Sequence, residues 1–166
     1  MKLRLLGGLL AATLCLPALT QAGTVSVDWQ EPEKFRDVKP ANESKKRFRE
    51  RTLTSLEEHF SELAEQLPAD YELVLKVTDL DLAGNVEFGR TQPIRIVRQI
   101  FIPSIDFEYE LLDGQKQMLQ SAEVELKDMN FLSHVRSRYS NQSLGYEKRM
   151  LDDWFKSTFK SYLPTK

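Results

Sequence analysis

Two aspartates, Asp79 and Asp81, are the residues whose spacing best fits a chemical role. They stand two positions apart in a strand-like segment, so on an extended chain both carboxylates point the same way. Carboxylate oxygens are ligands that Ca²⁺ prefers, and Glu87 follows nearby. The EF-hand spacing is absent, however, and a turn or an ion pair with Arg95 or Arg98 accounts for the same residues. Both interpretations stay open, with the structural one favoured.

A second group of carboxylates belongs to Asp106, Glu108 and Glu110, which alternate along one predicted strand. Glycosidases hold two carboxylates about 5–9 Å apart across a cleft, but alternate residues of any strand satisfy that distance. A solvated sheet face is therefore the better interpretation. His59 and His134 show no two-histidine zinc spacing, and no Gly-rich phosphate loop or Gly-x-Ser-x-Gly motif accompanies them. The sequence predicts no cofactor and identifies no catalytic residue.

One cationic stretch lies at the start of a predicted helix. It consists of Lys45, Lys46, Arg47, Arg49 and Arg51. Positive charge at this end opposes the helix macrodipole, so helix stability does not account for it. These side chains could contact an acidic partner, such as a phosphate-bearing envelope component or an acidic protein surface. Glutamates are interleaved with them, and a solvated helix face is the simpler explanation.

Composition and the first residues together indicate an exported chain. The sequence has 166 residues, with 23 Lys+Arg against 25 Asp+Glu and a single Cys. Residues 1–22 combine a cationic start, an apolar run too short to span a bilayer and small residues before Gly23, as in a secretory signal peptide. Removing them removes Cys15, which excludes disulfides and cysteine chemistry from the mature chain. The near balance of charge argues against a nucleic-acid binder.

The predicted elements indicate an α+β fold. Alternating apolar residues predict strands at 24–29, 71–78, 94–102 and 105–111. Residues 84–93 are predicted to be a loop, and Asp113-Gly114 to be a two-residue turn that pairs Tyr109 with Met118. Spacings of three and four predict helices at about 43–66 and 146–162. We expect one domain, residues 23–166: a mostly antiparallel sheet of four to five strands, packed on one face by a long N-terminal helix and a C-terminal helix.

Five segments carry a family resemblance. They are residues 27–29, 35–38, 78–84, 94–96 and 146–155. The most specific are the run Asp-Leu-Asp-Leu-Ala-Gly, at 79–84, and the run that ends in Trp154-Phe155. In these segments the chain resembles a small exported family of Gram-negative bacteria, domain of unknown function family 3016. The resemblance implies export and a single domain, and it supplies no activity, ligand or catalytic residue.

We therefore expect a periplasmic or envelope protein that acts as a non-enzymatic accessory or binding module. We expect a monomer whose partner is an unidentified protein or envelope component, with no transmembrane span after signal removal. The alternative is a small periplasmic hydrolase or cation-binding protein that uses Asp79 and Asp81. A pocket that contains both aspartates and a third acid or histidine favours the alternative, whereas pairing of Asp81 with Arg95 or Arg98 disfavours it.

Overall fold

Strands and helices follow one another in the order of an α+β domain, which confirms the predicted fold class. The computed structural model describes residues 22–35, 37–89, 91–133, 138–139 and 141–164. Their elements are β1 (Thr24–Trp29), α1 (Lys45–Ala64), β2 (Glu72–Asp81), β3 (Asn85–Phe88), β4 (Pro93–Ile96), β5 (Ser104–Leu112), β6 (Met118–Lys127) and α2 (Gly145–Thr158). Nearly all of the predicted signal peptide, residues 1–21, and His134 lie outside the described residues. No described helix is long and apolar enough to cross a bilayer.

Four strands form the main sheet, in the order β1-β2-β5-β6. β5 is antiparallel to both of its neighbours, whereas β1 runs parallel to β2. The sheet is therefore mixed, and the expectation of antiparallel pairing is wrong for β1. The long helix is also not N-terminal, since it follows β1 in the chain. That order explains the parallel pairing, because α1 returns the chain to the end of the sheet where β1 began.

The core lies on one face of this sheet. Alternate side chains of β2 and β5 point into it, and both helices pack there. The buried residues are Leu73, Leu75, Val77 and Leu80 of β2, Ile105, Phe107, Tyr109 and Leu111 of β5, Leu56, Phe60 and Leu63 of α1, and Leu151, Trp154 and Phe155 of α2. On the opposite face Glu108 and Glu110 are exposed, and the Lys76 ammonium lies 3.6 Å from the Glu108 carboxylate.

Helix α1 starts where its first backbone amides find a side-chain acceptor. The hydroxyl oxygen of Ser44 accepts a hydrogen bond of 3.2 Å from the backbone N of Arg47, as an N-cap residue does. The helix ends at Ala64, shortly before Pro68, which cannot donate a backbone hydrogen bond. The predicted helix at 43–66 is thus confirmed, with each end two residues too long.

The β5–β6 hairpin has a different register from the predicted one. Tyr109 pairs with Ala122 rather than with Met118, which pairs with Leu112 beside a bulge. The carboxylate of Asp113 accepts hydrogen bonds from the backbone N of Gln115 and Gln117, at 2.8 and 2.9 Å, and so closes a longer loop. A slip of four residues keeps most of β6 on its predicted face, because the strand period is two, but the bulge places Met118 opposite Leu112 instead of core-facing Tyr109.

Residues 84–102 also differ from the prediction. The expected loop contains β3, which pairs with β4 in a separate two-stranded sheet, and the expected strand at 94–102 ends at Ile96. A turn follows, in which the backbone N of Phe101 donates to the carbonyl of Arg98. Gly84 has φ +82°, and a Cβ there would lie 2.7 Å from the carbonyl oxygen of Ile96. Glycine is therefore needed where the chain enters this hairpin.

Candidate functional site

A cavity of about 650 Å³ opens beside the first turns of both helices. Its walls come from the connector before α1, the β2–β3 junction, β4, a short helical turn at Phe131–Ser133 and the start of α2. The apolar part of the lining contains Phe48, Leu82, Ala83, Val97, Phe131, Leu132, Leu144 and Tyr146. The charged part contains Lys39, Glu43, Arg95, Glu147 and Arg149. Small-molecule sites typically have volumes of about 300–1,000 Å³ and a mainly apolar lining with a few polar groups.

Arg95 of β4 fixes one wall of the cavity. Its guanidinium donates to the carboxylate of Asp37 at 2.8 Å and to the backbone carbonyls of Asp37, Lys39 and Gly84 at 2.9, 3.0 and 2.9 Å. A guanidinium has five donor hydrogens in a rigid plane, so one side chain can hold several oxygens in place. The connector at 37–39 is thereby attached to β4 and to the end of the β2–β3 junction.

Glu147 joins the start of α2 to the β2–β3 junction. Its side chain is buried, and its carboxylate accepts a hydrogen bond of 2.7 Å from the backbone N of Ala83. Burial raises the pKa of Glu147 above its ordinary value, because water no longer solvates the charged form. The hydrogen bond from Ala83 and the positive charge of Arg95 act in the opposite direction without cancelling the increase. The ionised form of Glu147 is therefore less favourable in the folded protein than in water.

Glu147→Gln will raise the melting temperature near neutral pH by about 3 °C, or roughly 1 kcal/mol. Since the folded-state pKa of Glu147 is raised, ionisation at higher pH destabilises the wild type, while the glutamine amide stays neutral and can still accept from Ala83. The gain should disappear in acid, where the glutamate is protonated in both states. Melting followed by circular dichroism at both pH values measures this, with Glu43→Gln as a control at the cavity edge. A lower melting temperature for Glu147→Gln near neutral pH would contradict the prediction.

A buried polar cluster joins the two helices behind the cavity. The imidazole Nε2 of His59, on α1, lies 3.0 Å from the carbonyl oxygen of Lys148 and 3.1 Å from the carboxylate of Asp152, both on α2. Both neighbours are acceptors, so Nε2 carries a hydrogen. The hydroxyl of Tyr139 donates to the same carboxylate at 2.9 Å, and its ring packs edge-on against His59. Because only 1% of His59 is exposed, the ring positions the helices and has no access to a substrate.

Asp152 is ionised because this cluster surrounds it. Burial alone would raise the pKa of Asp152, but hydrogen bonds from His59, Lys156 and Tyr139 outweigh burial and lower the pKa from 3.8 to about 2. Sequence reasoning missed this cluster, although one signal was available. His59 falls among the buried positions of α1, and Asp152 among those of α2, where an ionisable side chain needs a partner.

Neither of the two aspartates singled out from the sequence is among the residues that line the cavity just described. The carboxylate of Asp79 accepts from the backbone N of Leu80 at 3.0 Å. Asp81 lines a second cavity of about 580 Å³. Arg95 pairs with Asp37 at 2.8 Å, and Arg98 pairs with Glu87 at 2.9 Å. Within the described ranges, no group of three or more His, Cys, Asp or Glu side chains could hold a metal ion.

The cationic stretch borders the cavity. Lys45, Lys46, Arg47 and Arg51 are exposed, while Arg49 is half-buried. Two acids neutralise part of it: Lys46 lies 3.8 Å from Glu50, and Arg51 pairs with Glu43, a residue of the cavity lining. Phe48, from the same turn of α1, also lines the cavity. The cationic stretch is therefore next to the cavity in the chain, although none of its five cationic side chains is among the lining residues.

Comparison with known proteins identifies one family. A family model described as "Protein of unknown function (DUF3016)" matches residues 23–157, which include all the cavity-lining residues and every described element except the last residue of α2. No curated protein and no solved structure matches the chain significantly.

Proposed function

The chain belongs to the DUF3016 family, and we propose that this member is an exported, non-enzymatic binding module of the periplasm or envelope. The cavity beside the two helix starts, with its apolar wall and cationic edge, is the observation that carries the proposal. Its ligand is an amphipathic anion, whose apolar body fills the cavity while its acidic group stays at the edge. Export rests on the signal-peptide pattern of residues 1–22.

The apolar wall supplies the affinity for the ligand body. Phe48, Leu82, Phe131 and Leu144 come from four separate segments and surround one space. Apolar surface removed from water contributes about 25 cal/mol per Å², so an apolar body of matching size gains binding energy without any directed bond. Because Arg95 and Glu147 fix the connector and the β2–β3 junction, the cavity is present before a ligand arrives.

A cationic side chain without an ion-pair partner at the cavity edge favours an anionic ligand. Arg95 is paired with Asp37, and Arg149 lies 3.3 Å from Asp128. The carboxylate of Glu147 accepts a hydrogen bond from the backbone N of Ala83. Lys39 is exposed, lines the cavity and forms no ion pair with another described residue. Its ammonium is therefore the cation available to a ligand.

The cationic stretch of α1 adds longer-range attraction. Lys45, Arg47 and Arg49 form no ion pair within the described part of the chain, and the positive end of the α1 macrodipole lies beside them. Their mutual repulsion and their position weaken the helix, so their presence is better explained by an anionic ligand or an acidic envelope component. The alternative of a hydrolase or cation site at Asp79 and Asp81 has less support, since the described residues add no third ligand.

Lys39→Gln will lower the affinity for decanoate about fivefold and leave the affinity for decanol unchanged. The two probes share an apolar chain and differ in charge, and an exposed ion pair contributes about 1 kcal/mol. Isothermal titration of the wild type and the variant with both probes measures the difference. Lys160→Gln, which removes an exposed lysine after α2, is the matched control and should bind like the wild type.

A bulky substitution in the cavity tests, by the same titration, whether the probes bind there or elsewhere on the surface. Ser143 is exposed and lines the cavity, so Ser143→Trp should reduce binding of both probes at least about tenfold. Ser161→Trp places the same ring outside the cavity and should have no effect. Equal affinity of the wild type for decanoate and decanol would refute the anionic ligand, and no binding of either probe would refute the cavity as a ligand site.

A further inference from the structure

Exposed apolar side chains are concentrated in one part of the surface. Eight large apolar side chains are exposed among the described residues, and five of them lie on the β3–β4 hairpin, on the turn after it or at residue 129. These five, which we name the apolar rim, are Phe88, Ile94, Val97, Ile100 and Met129. Phe88 is 91% exposed, Ile100 73% and Met129 67%. Scattered single exposures need no explanation, but a concentration of this kind marks an interaction surface.

Hydrogen bonds hold the backbone of the apolar rim in place. The backbone N of Gly84 donates to the carbonyl of Phe101 at 3.1 Å, which attaches the turn after β4 to the start of the hairpin. The side-chain amide of Gln99 donates to the carbonyl of Met129 at 3.1 Å, which attaches the same turn to the segment after β6. The backbone that carries the apolar rim is therefore fixed, and its side chains are held out in solvent.

The apolar rim continues into both cavities. Val97 lines the cavity proposed to hold the ligand, and Ile100 and Met129 line the second one. Lys39 lines both cavities, and Lys127 lines the second. Three of the five residues of the apolar rim therefore line a cavity, and cationic side chains line the same cavities.

We infer that the apolar rim docks on a lipid bilayer, with Phe88 and Ile100 inserted below the headgroups. The hairpin forms a sheet of its own, and its most exposed side chains make few contacts with the rest of the protein. A protein partner would need a groove shaped to receive each of these protruding groups, whereas a bilayer accepts them at any spacing. Lys39 is exposed and lines the same cavity as Ile100 and Met129, so it can contact lipid phosphates beside them. Arg98 and Lys127, each about half exposed, are instead paired with Glu87 and Glu125.

Vesicle flotation tests the docking. The protein is the chain from residue 23 onward, which holds every residue of the described core and lacks the apolar run at 5–16. The vesicles contain phosphatidylethanolamine and phosphatidylglycerol. We expect the wild type to float with them, and the double variant Phe88→Ser/Ile100→Ser to lose at least about tenfold in affinity, since burial of each side chain is lost. Met118→Ser removes a residue that is 56% exposed at the other end of β6, and it should float like the wild type.

A site-specific label gives an independent readout. The chain from residue 23 contains no Cys, so Phe88→Cys and Met118→Cys each carry one site for an environment-sensitive fluorophore. Vesicles should shift the emission to shorter wavelength at position 88 and not at position 118. A wild type that does not float, a double variant that floats unchanged, or equal shifts at both positions would overturn the inference. Neither Phe88 nor Ile100 lines the ligand cavity, so the double variant should bind decanoate like the wild type. Failure of membrane docking can therefore be distinguished from failure of the proposed ligand binding.

Discussion

Asp152→Asn will lower the free energy of unfolding by about 2–3 kcal/mol near neutral pH. The carboxylate accepts from the hydroxyl of Tyr139 at 2.9 Å and lies 3.1 Å from both the His59 Nε2 and the Lys156 ammonium. An amide keeps the shape of the carboxylate but not its charge, so these donors lose their strongest acceptor in a buried position. The substitution therefore weakens the contacts of Asp152 with His59, Arg138 and Lys156 at once.

The pH dependence of this effect has a definite sign. The pKa of Asp152 is lowered in the folded protein from 3.8 to about 2, so the folded state favours the ionised form. The stabilisation is therefore complete above the ordinary pKa, and it is lost as the pH falls from about 4 to about 2. The wild type and Asp152→Asn should converge in stability across that interval.

Urea unfolding followed by circular dichroism, repeated from neutral pH into acid, measures both parts of this prediction. Asp153→Asn is the control, because Asp153 is exposed and lies 3.5 Å from Arg149, so its loss should change stability by less than about 1 kcal/mol. A constant difference between wild type and Asp152→Asn at every pH would show that the Asp152 carboxylate is not the source of the stabilisation.

Arg95→Ala will lower the free energy of unfolding by about 2–4 kcal/mol and release the connector at residues 37–39. The substitution removes donors from the carboxylate of Asp37 and from four backbone carbonyls, of which that of Ala83, at 3.4 Å, is the most distant. The Asp37 side chain is only 15% exposed, so water restores little of what is lost. Because Lys39 belongs to this connector and lines the cavity, decanoate binding should weaken as well.

Arg98→Ala provides the matched control on the same hairpin. Arg98 is about half exposed, and Glu87 is its one ion-pair partner among the described residues, so its loss should cost less than about 1 kcal/mol. Hydrogen exchange at the backbone amides of 37–39 should become faster in Arg95→Ala and not in Arg98→Ala. Unchanged exchange in Arg95→Ala would show that other contacts hold the connector.

Individual strands and helices were predictable because their hydrophobic periodicity is present in a short stretch of sequence. A period of two in β5 and a spacing of three and four in α1 each reflect one buried face, and both elements are found close to their predicted bounds. The alternating isoleucines of 94–102 predicted a strand that is longer than β4, because alternation usually indicates burial. Ile94 and Ile100 are exposed instead. We propose that these exposed isoleucines contact lipid.

The cavity could not be predicted, because its parts are far apart in the chain. Arg95 and Asp37 are separated by 58 positions, and Ala83 and Glu147 by 64. All four residues lie in segments that carry the family resemblance, but no local pattern shows that the members of each pair meet. The cationic stretch was recognised from the sequence, but its position beside an apolar cavity was not.

The sequence by itself determined the α+β class, two amphipathic helices and the inward faces of β2 and β5, since hydrophobic periodicity depends only on neighbouring residues. Only the tertiary structure decided that β1 is parallel to β2, that β6 pairs four residues out of the expected register, and that Arg95, Glu147 and Lys39 meet at one cavity. Those outcomes depend on which distant segments pack together, and the packing is set by the whole core rather than by any local pattern.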